Sequence, residues 1–72
     1  MPERLRTLKK RAKKFGATLE EPSSGSHYKF RSKDRRAYPV SAHNGLKSEI
    51  PDVYIRGLAR FLGVSVDELL GK

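Results

Sequence analysis

Apolar side chains in this 72-residue chain recur with two different periods. Leu5, Leu8, Ala12 and Phe15 stand three or four apart, the spacing of one helical face, and predict a helix over residues 2–15. Pro2 suits a first helical position, and Glu3 suits the positive end of the helix dipole. Gly16 ends the helix as a left-handed cap. The period then drops to two. Residues 17–21 predict a short strand with Leu19 inward and Thr18 and Glu20 outward. Pro-Ser-Ser-Gly at 22–25 is a turn by composition. Residues 26–32 alternate strictly: Tyr28 and Phe30 on one face, His27, Lys29 and Arg31 on the other. Lys33, Asp34 and Arg35 predict a polar hairpin turn. Residues 36–42 predict a third strand with Tyr38 and Val40 on a common face, and Pro39 puts that strand at an edge. Residues 43–49 read as a loop. Pro51 and Asp52 then open a second helix with Ile55, Leu58, Ala59 and Leu62 as its inward stripe, stopped by Gly63. Ser65 and Glu68 form a capping-box pattern for a last short turn.

The expected fold is therefore α+β, in the order αβββα. Two helices pack on one face of a three-stranded antiparallel sheet. Its expected core is Leu5, Leu8, Phe15, Leu19, Tyr28, Phe30, Val40, Ile55, Leu58 and Leu62. The other face stays open and displays His27, Lys29 and Arg31.

Charge changes this picture at one end. Sixteen Lys and Arg against eight Asp and Glu leave a formal charge of +8. Residues 1–15 hold seven basic groups and one acid, whereas residues 51–72 hold three of each. The excess lies on the outer face of the first helix: Arg4, Arg6, Lys9, Lys10, Arg11, Lys13 and Lys14. A polyanion is the natural partner, and nucleic acid is the commonest one. A merely solvated basic face is the competing account. No apolar run approaches the ~20 residues of a membrane span. The first residues lack the apolar stretch of a signal peptide. A membrane surface is disfavoured because the narrow apolar face of the first helix is needed for the core. Zero Cys excludes a disulfide scaffold, thiol catalysis and a cysteine zinc site. A reducing cytoplasm suits such a chain.

The chemistry-bearing candidates are few. Cleaving RNA without metal needs a group that takes the 2′-OH proton and one that protonates the leaving 5′-oxygen. Histidine serves either role near neutral pH. His27 is a candidate for this, although from the residues alone a strand-start His is more often an exposed or hydrogen-bonded side chain with no chemistry. Gly25 permits positive φ or close approach of a phosphate. Lys29 and Arg31 share the His27 face and would hold phosphate or transition-state charge. Their alternative is a solvated sheet face. His43 is either a second acid-base partner or an ordinary loop residue. Tyr28 and Phe30 resemble base-stacking aromatics, but alternation assigns them to the core. His27 and His43, without Cys or a nearby acidic cluster, do not make a zinc site. Ser26 and His27 point to opposite faces, which excludes a serine-hydrolase pair. There is no phosphate-loop motif.

The run Gly25-Ser26-His27-Tyr28-Lys29-Phe30 resembles the Gly-Ser-His-x-x-aromatic motif of the HicA family of toxin ribonucleases. These are small αβββα proteins with a double-stranded-RNA-binding-domain-like fold. The likeness runs from about Arg4 to Leu70. It takes in the basic helix ending at Gly16, the polar turn with Asp34 and Arg36, His43 after the third strand, and the closing helix, Gly and short helix. Arg35 stands where the family usually has Gly. The loop after His43 looks about two residues long by comparison, and Val53 and Tyr54 stand where small residues are common. The resemblance implies a single domain over residues 1–72. It implies the toxin of a type II toxin–antitoxin system, an endoribonuclease cleaving mRNA without metal or cofactor, with a HicB-type antitoxin as protein partner. It makes His27 catalytic, with Gly25, Ser26, Lys29, Arg31 and His43 auxiliary, and gives the first helix the RNA backbone. Two other readings stay open: a non-catalytic RNA-binding module on the same fold, and an interaction protein whose charge serves an acidic partner.

Overall fold

In the computed structural model, which describes residues 2–72, the first helix starts later than its apolar spacing suggests. Glu3–Arg4 is a two-residue strand, β1, and the helix α1 is Leu5–Lys13. Pro2 and Glu3, expected as the opening of the helix, lie outside it. The reason is a tertiary claim on the backbone. Arg4 is extended, at φ −74° and ψ 145°, and Glu3 pairs with Ile50 across a small antiparallel ribbon. The Leu5 N–H then donates to the Ser48 carbonyl at 2.8 Å, satisfying a donor that the first turn leaves free. At its other end the helix gives way to a turn, and Gly16 adopts φ +86° as expected.

Three antiparallel strands follow: β2 (Thr18–Glu20), β3 (His27–Arg31) and β4 (Ala37–Ser41), in spatial order β2-β3-β4. Each is two residues shorter than the alternation suggests, one at either end. Leu19 and Tyr38 flank Phe30 in register, and Tyr28 faces Val40. Pro39 lies opposite Lys29 on the edge strand β4, where a residue without an N–H is tolerated. The hairpin turn is closed by the Ser32 N–H donating to the Arg36 carbonyl (2.9 Å). Asp34 organises it, accepting from the Ser32 hydroxyl and from the Arg36 guanidinium (2.8 Å). The Ser32 hydroxyl is the main reason the Asp34 carboxyl is held below its ordinary value.

The segment expected as a loop is more ordered than its composition suggests. A 3-10 turn at Gly45–Lys47 leads into strand β5, Glu49–Ile50, the partner of β1. Ser48 is buried there, and its hydroxyl accepts from the Asn44 N–H at 2.8 Å. Helix α2 is Asp52–Leu62, capped by Gly63 in the left-handed conformation. Helix α3 is Val66–Leu70, started by the expected capping box with Ser65 and Glu68 exchanging bonds of 3.0 and 3.1 Å.

One apolar cluster sits between the helices and one face of the main sheet. Leu5, Leu8, Tyr28, Phe30, Val40, Ile55 and Leu58 are buried as their spacing requires. Phe15, Leu19 and Leu62 reach only its rim. Ala12, Ala17, Ala42, Ile50, Ala59 and Leu69 complete it. The α+β order αβββα stands, with the β1–β5 ribbon added. Among the described residues no helix is long and apolar enough to cross a membrane.

Candidate functional site

The face of the sheet away from the helices carries the alternate residues of each strand. His27 and Lys29 are exposed on it, and Arg31 is half-buried. Gly25 precedes them at φ +92°, a conformation that L-residues avoid. A Cβ there would meet nothing within 4 Å, so the backbone at Gly25 is open to close approach. Ser26 is anchored through its backbone: its carbonyl accepts from the Ala42 N–H at 2.8 Å. That bond continues the β3–β4 register, in which His27 lies opposite Ser41. His43, exposed and next after Ala42, therefore leaves the sheet at the same end as the Gly25-Ser26-His27 segment.

Arg31 is committed elsewhere. Its guanidinium donates twice to the Glu20 carboxylate, at 3.1 and 3.2 Å, and once to the Arg35 carbonyl at 3.3 Å. The Arg31 hydrogen bonds are the first cause of a lowered Glu20 pKa, with the charges of Arg31 and Lys29 adding to it. The same pair raises Arg31. Among the described residues Lys29, opposite Glu20 in the β2–β3 register, is thus the cation of this face with no ion pair. Glu20 was legible as an outward residue of β2. The antiparallel pairing that sets it against Lys29 was the missing step.

His27 and Lys29 form the shared wall of two hollows. One, of about 190 Å³, is lined on its far side by Glu20, Glu21 and Pro22. The other, of about 440 Å³, runs toward Pro39, Ser41 and Tyr54, with Tyr28 and Val40 contributing. Tyr54 comes from the first turn of α2 and is 45% exposed. Its position is held from β4. The Tyr38 hydroxyl donates to the Tyr54 carbonyl at 3.0 Å. Gly57 makes this approach possible, since a Cβ there would collide with the Tyr38 hydroxyl and ring. Burial, then the neighbouring Tyr54, pushes the Tyr38 phenol above its ordinary value.

The basic helix divides into bound and unbound cations. Arg11 turns away from solvent: its Nε donates to the Leu69 carbonyl at 2.6 Å and its guanidinium to the Glu68 carbonyl at 3.2 Å. Lys9 pairs with Glu21 at 3.2 Å. Arg4, Arg6, Lys10, Lys13 and Lys14 are exposed and have no ion pair among the described residues. Arg6, Lys10 and Lys13 recur at four and three residues and form one ridge. This ridge lies on the helix side of the sheet, away from His27.

Among the described residues no three His, Cys, Asp or Glu side chains form a group able to hold a metal ion. Comparison of the chain with protein-family models, curated proteins and solved structures returns no match.

Proposed function

We propose that this chain is an endoribonuclease that cleaves mRNA, the toxin of a type II toxin–antitoxin system of the HicA kind, with His27 as its acid-base residue. The observation that carries the reading is the exposed His27 at the entry of β3, flanked by Gly25 at positive φ and by Lys29, which makes no ion pair among the described residues. The reaction suited to these groups is transfer within RNA. His27 takes the 2′-OH proton, and the 2′-oxygen attacks the adjacent phosphorus. The bond from phosphorus to the 5′-oxygen breaks, and that oxygen gains a proton from an acid or from water. The products are a 2′,3′-cyclic phosphate and a 5′-hydroxyl. Lys29 offsets charge gathering on the non-bridging oxygens. Arg31 acts at one remove, by holding Glu20. His43, which leaves the sheet at the same end, is the candidate for the second proton transfer.

The cationic ridge of α1 supplies sequence-blind affinity for the RNA backbone. A HicB-type antitoxin, in the cytoplasm, would mask the His27 face. The competing reading is a non-catalytic RNA-binding module, favoured by how few free groups surround His27.

Purified protein and its His27→Ala variant, incubated with RNA with and without EDTA, separate these readings. Cleavage by the wild type that survives EDTA, with binding but no cleavage by the variant, is the expected result. Equal cleavage by both proteins sinks the assignment. Salt-sensitive retention with no cleavage by either establishes the binding module.

A further inference from the structure

We infer that Tyr54 is the nucleobase platform of the His27 site, and that the site takes single-stranded RNA with the base next to the scissile phosphate stacked on the Tyr54 ring. This rests on the ribonuclease reading and adds a specificity-determining residue to it. Val53 and Tyr54 are the large apolar side chains left exposed in the fold, at 59% and 45%. Of the two, Tyr54 lines the same hollow as His27 and Lys29. An aromatic ring held beside a cation and an imidazole has the three contacts one nucleotide offers: a base face, a phosphate and a ribose hydroxyl. Stacking on an aromatic side chain is how proteins hold unpaired bases.

Charge selects this hollow over its neighbour. The walls toward Tyr54 carry no carboxylate, whereas the hollow on the other side of His27 is walled by Glu20 and Glu21. A phosphate on the Tyr54 side meets Lys29 with no carboxylate in the wall, whereas on the other side it meets carboxylates already engaged by Arg31 and Lys9. Volume fits as well, because about 440 Å³ falls in the range of ordinary small-ligand sites, ~300–1,000 Å³. The backbone that carries the ring is anchored, since the Tyr38 hydroxyl donates to the Tyr54 carbonyl and Gly57 lets β4 lie close against α2. A base already paired and stacked in a duplex cannot present its face to the ring, so the substrate is single-stranded at this point.

The test uses a short single-stranded RNA with every ribose 2′-O-methylated, which binds without being cleaved. Affinities are measured for the wild type, Tyr54→Phe and Tyr54→Ala. The exposed position leaves the fold intact, as thermal melting of each variant verifies. Tyr54→Ala is expected to weaken binding on the order of tenfold and Tyr54→Phe to retain it. Removing the base at one nucleotide is expected to weaken wild-type binding similarly and to add nothing in Tyr54→Ala. Unchanged affinity in Tyr54→Ala overturns the inference while leaving the ribonuclease reading intact. No retention of this RNA by the wild type, nor of the unmodified RNA by His27→Ala, overturns both. A wild-type dimer in sedimentation that Tyr54→Ala dissociates, with RNA affinity unchanged, assigns the ring to a protein contact and overturns the inference.

Discussion

At the scale of single residues, Arg31 and Glu20 decide how much charge the open face offers a phosphate. Sequence alternation puts Lys29 and Arg31 side by side, and both look available. Cross-strand pairing shows otherwise, because Glu20 takes two of the three guanidinium bonds. Which outward residue meets which depends on register, and register is a property of two strands. The pair also has a pH signature. A carboxyl held below its ordinary value binds fewer protons folded than unfolded in acid. Its contribution is complete above the ordinary carboxylate range and is lost as pH falls through the lowered value. The two side chains keep 38% and 48% of their surface in solvent, so the contribution to stability is small. The midpoint itself is the better observable. In an NMR titration the Glu20 carboxyl should titrate below the ordinary value, and Arg31→Ala should return it most of the way. A midpoint that ignores Arg31→Ala would mean the pair does not persist in solution.

At the scale of elements, α3 is too short to stand alone and is tied down at both ends. Its start was legible, since Ser65 and Glu68 carry the capping box in their spacing. Its end was not. Arg11 reaches across 58 residues to the Leu69 carbonyl and across 57 to that of Glu68. In the sequence it is one of seven cations with nothing to set it apart. The chain closes over it with Gly71 at φ +78°, where a Cβ would stand 2.9 Å from the guanidinium. Arg11→Ala should therefore cost about 1–2 kcal/mol in urea unfolding, as the loss of charged hydrogen bonds to helix carbonyls does. Lys13→Ala, on the exposed ridge, should stay within about 0.5 kcal/mol. Equal effects of the two would show that the α3 clasp contributes nothing. The β1–β5 ribbon escaped sequence reading for a similar reason. Two-residue strands have no period to detect, and Pro2 and Glu3 also fit a helix start.

For the molecule as a whole, the cationic ridge of α1 lies on the helix side of the sheet and Lys29 on the open face of a small body, 30 × 28 × 17 Å in extent. A flexible single strand can pass round the sheet edge and touch both, whereas a stiff duplex cannot. Affinity should then divide by cation. On single-stranded RNA, Arg6→Ala, Lys10→Ala and Lys13→Ala should each lower the slope of log affinity against log salt by about 0.7. Arg11→Ala should change it far less, because that charge already serves carbonyls. Identical slopes for all four variants would place the RNA somewhere other than α1. The overall architecture, the open face and the buried aromatics were all legible, because each rests on a local period that the core then enforces. The sorting of cations into free and committed was not, since it depends on contacts far apart in the chain.

Pro39 carries a further consequence. The outer rim of β4 is an unpaired strand edge, the kind of surface on which chains stack into fibrils. A residue with no N–H at the middle of that five-residue strand spoils it as a template. Of the two edges of the sheet, the one that shares a hollow with the exposed Tyr54 is thus blunted against edge-to-edge pairing.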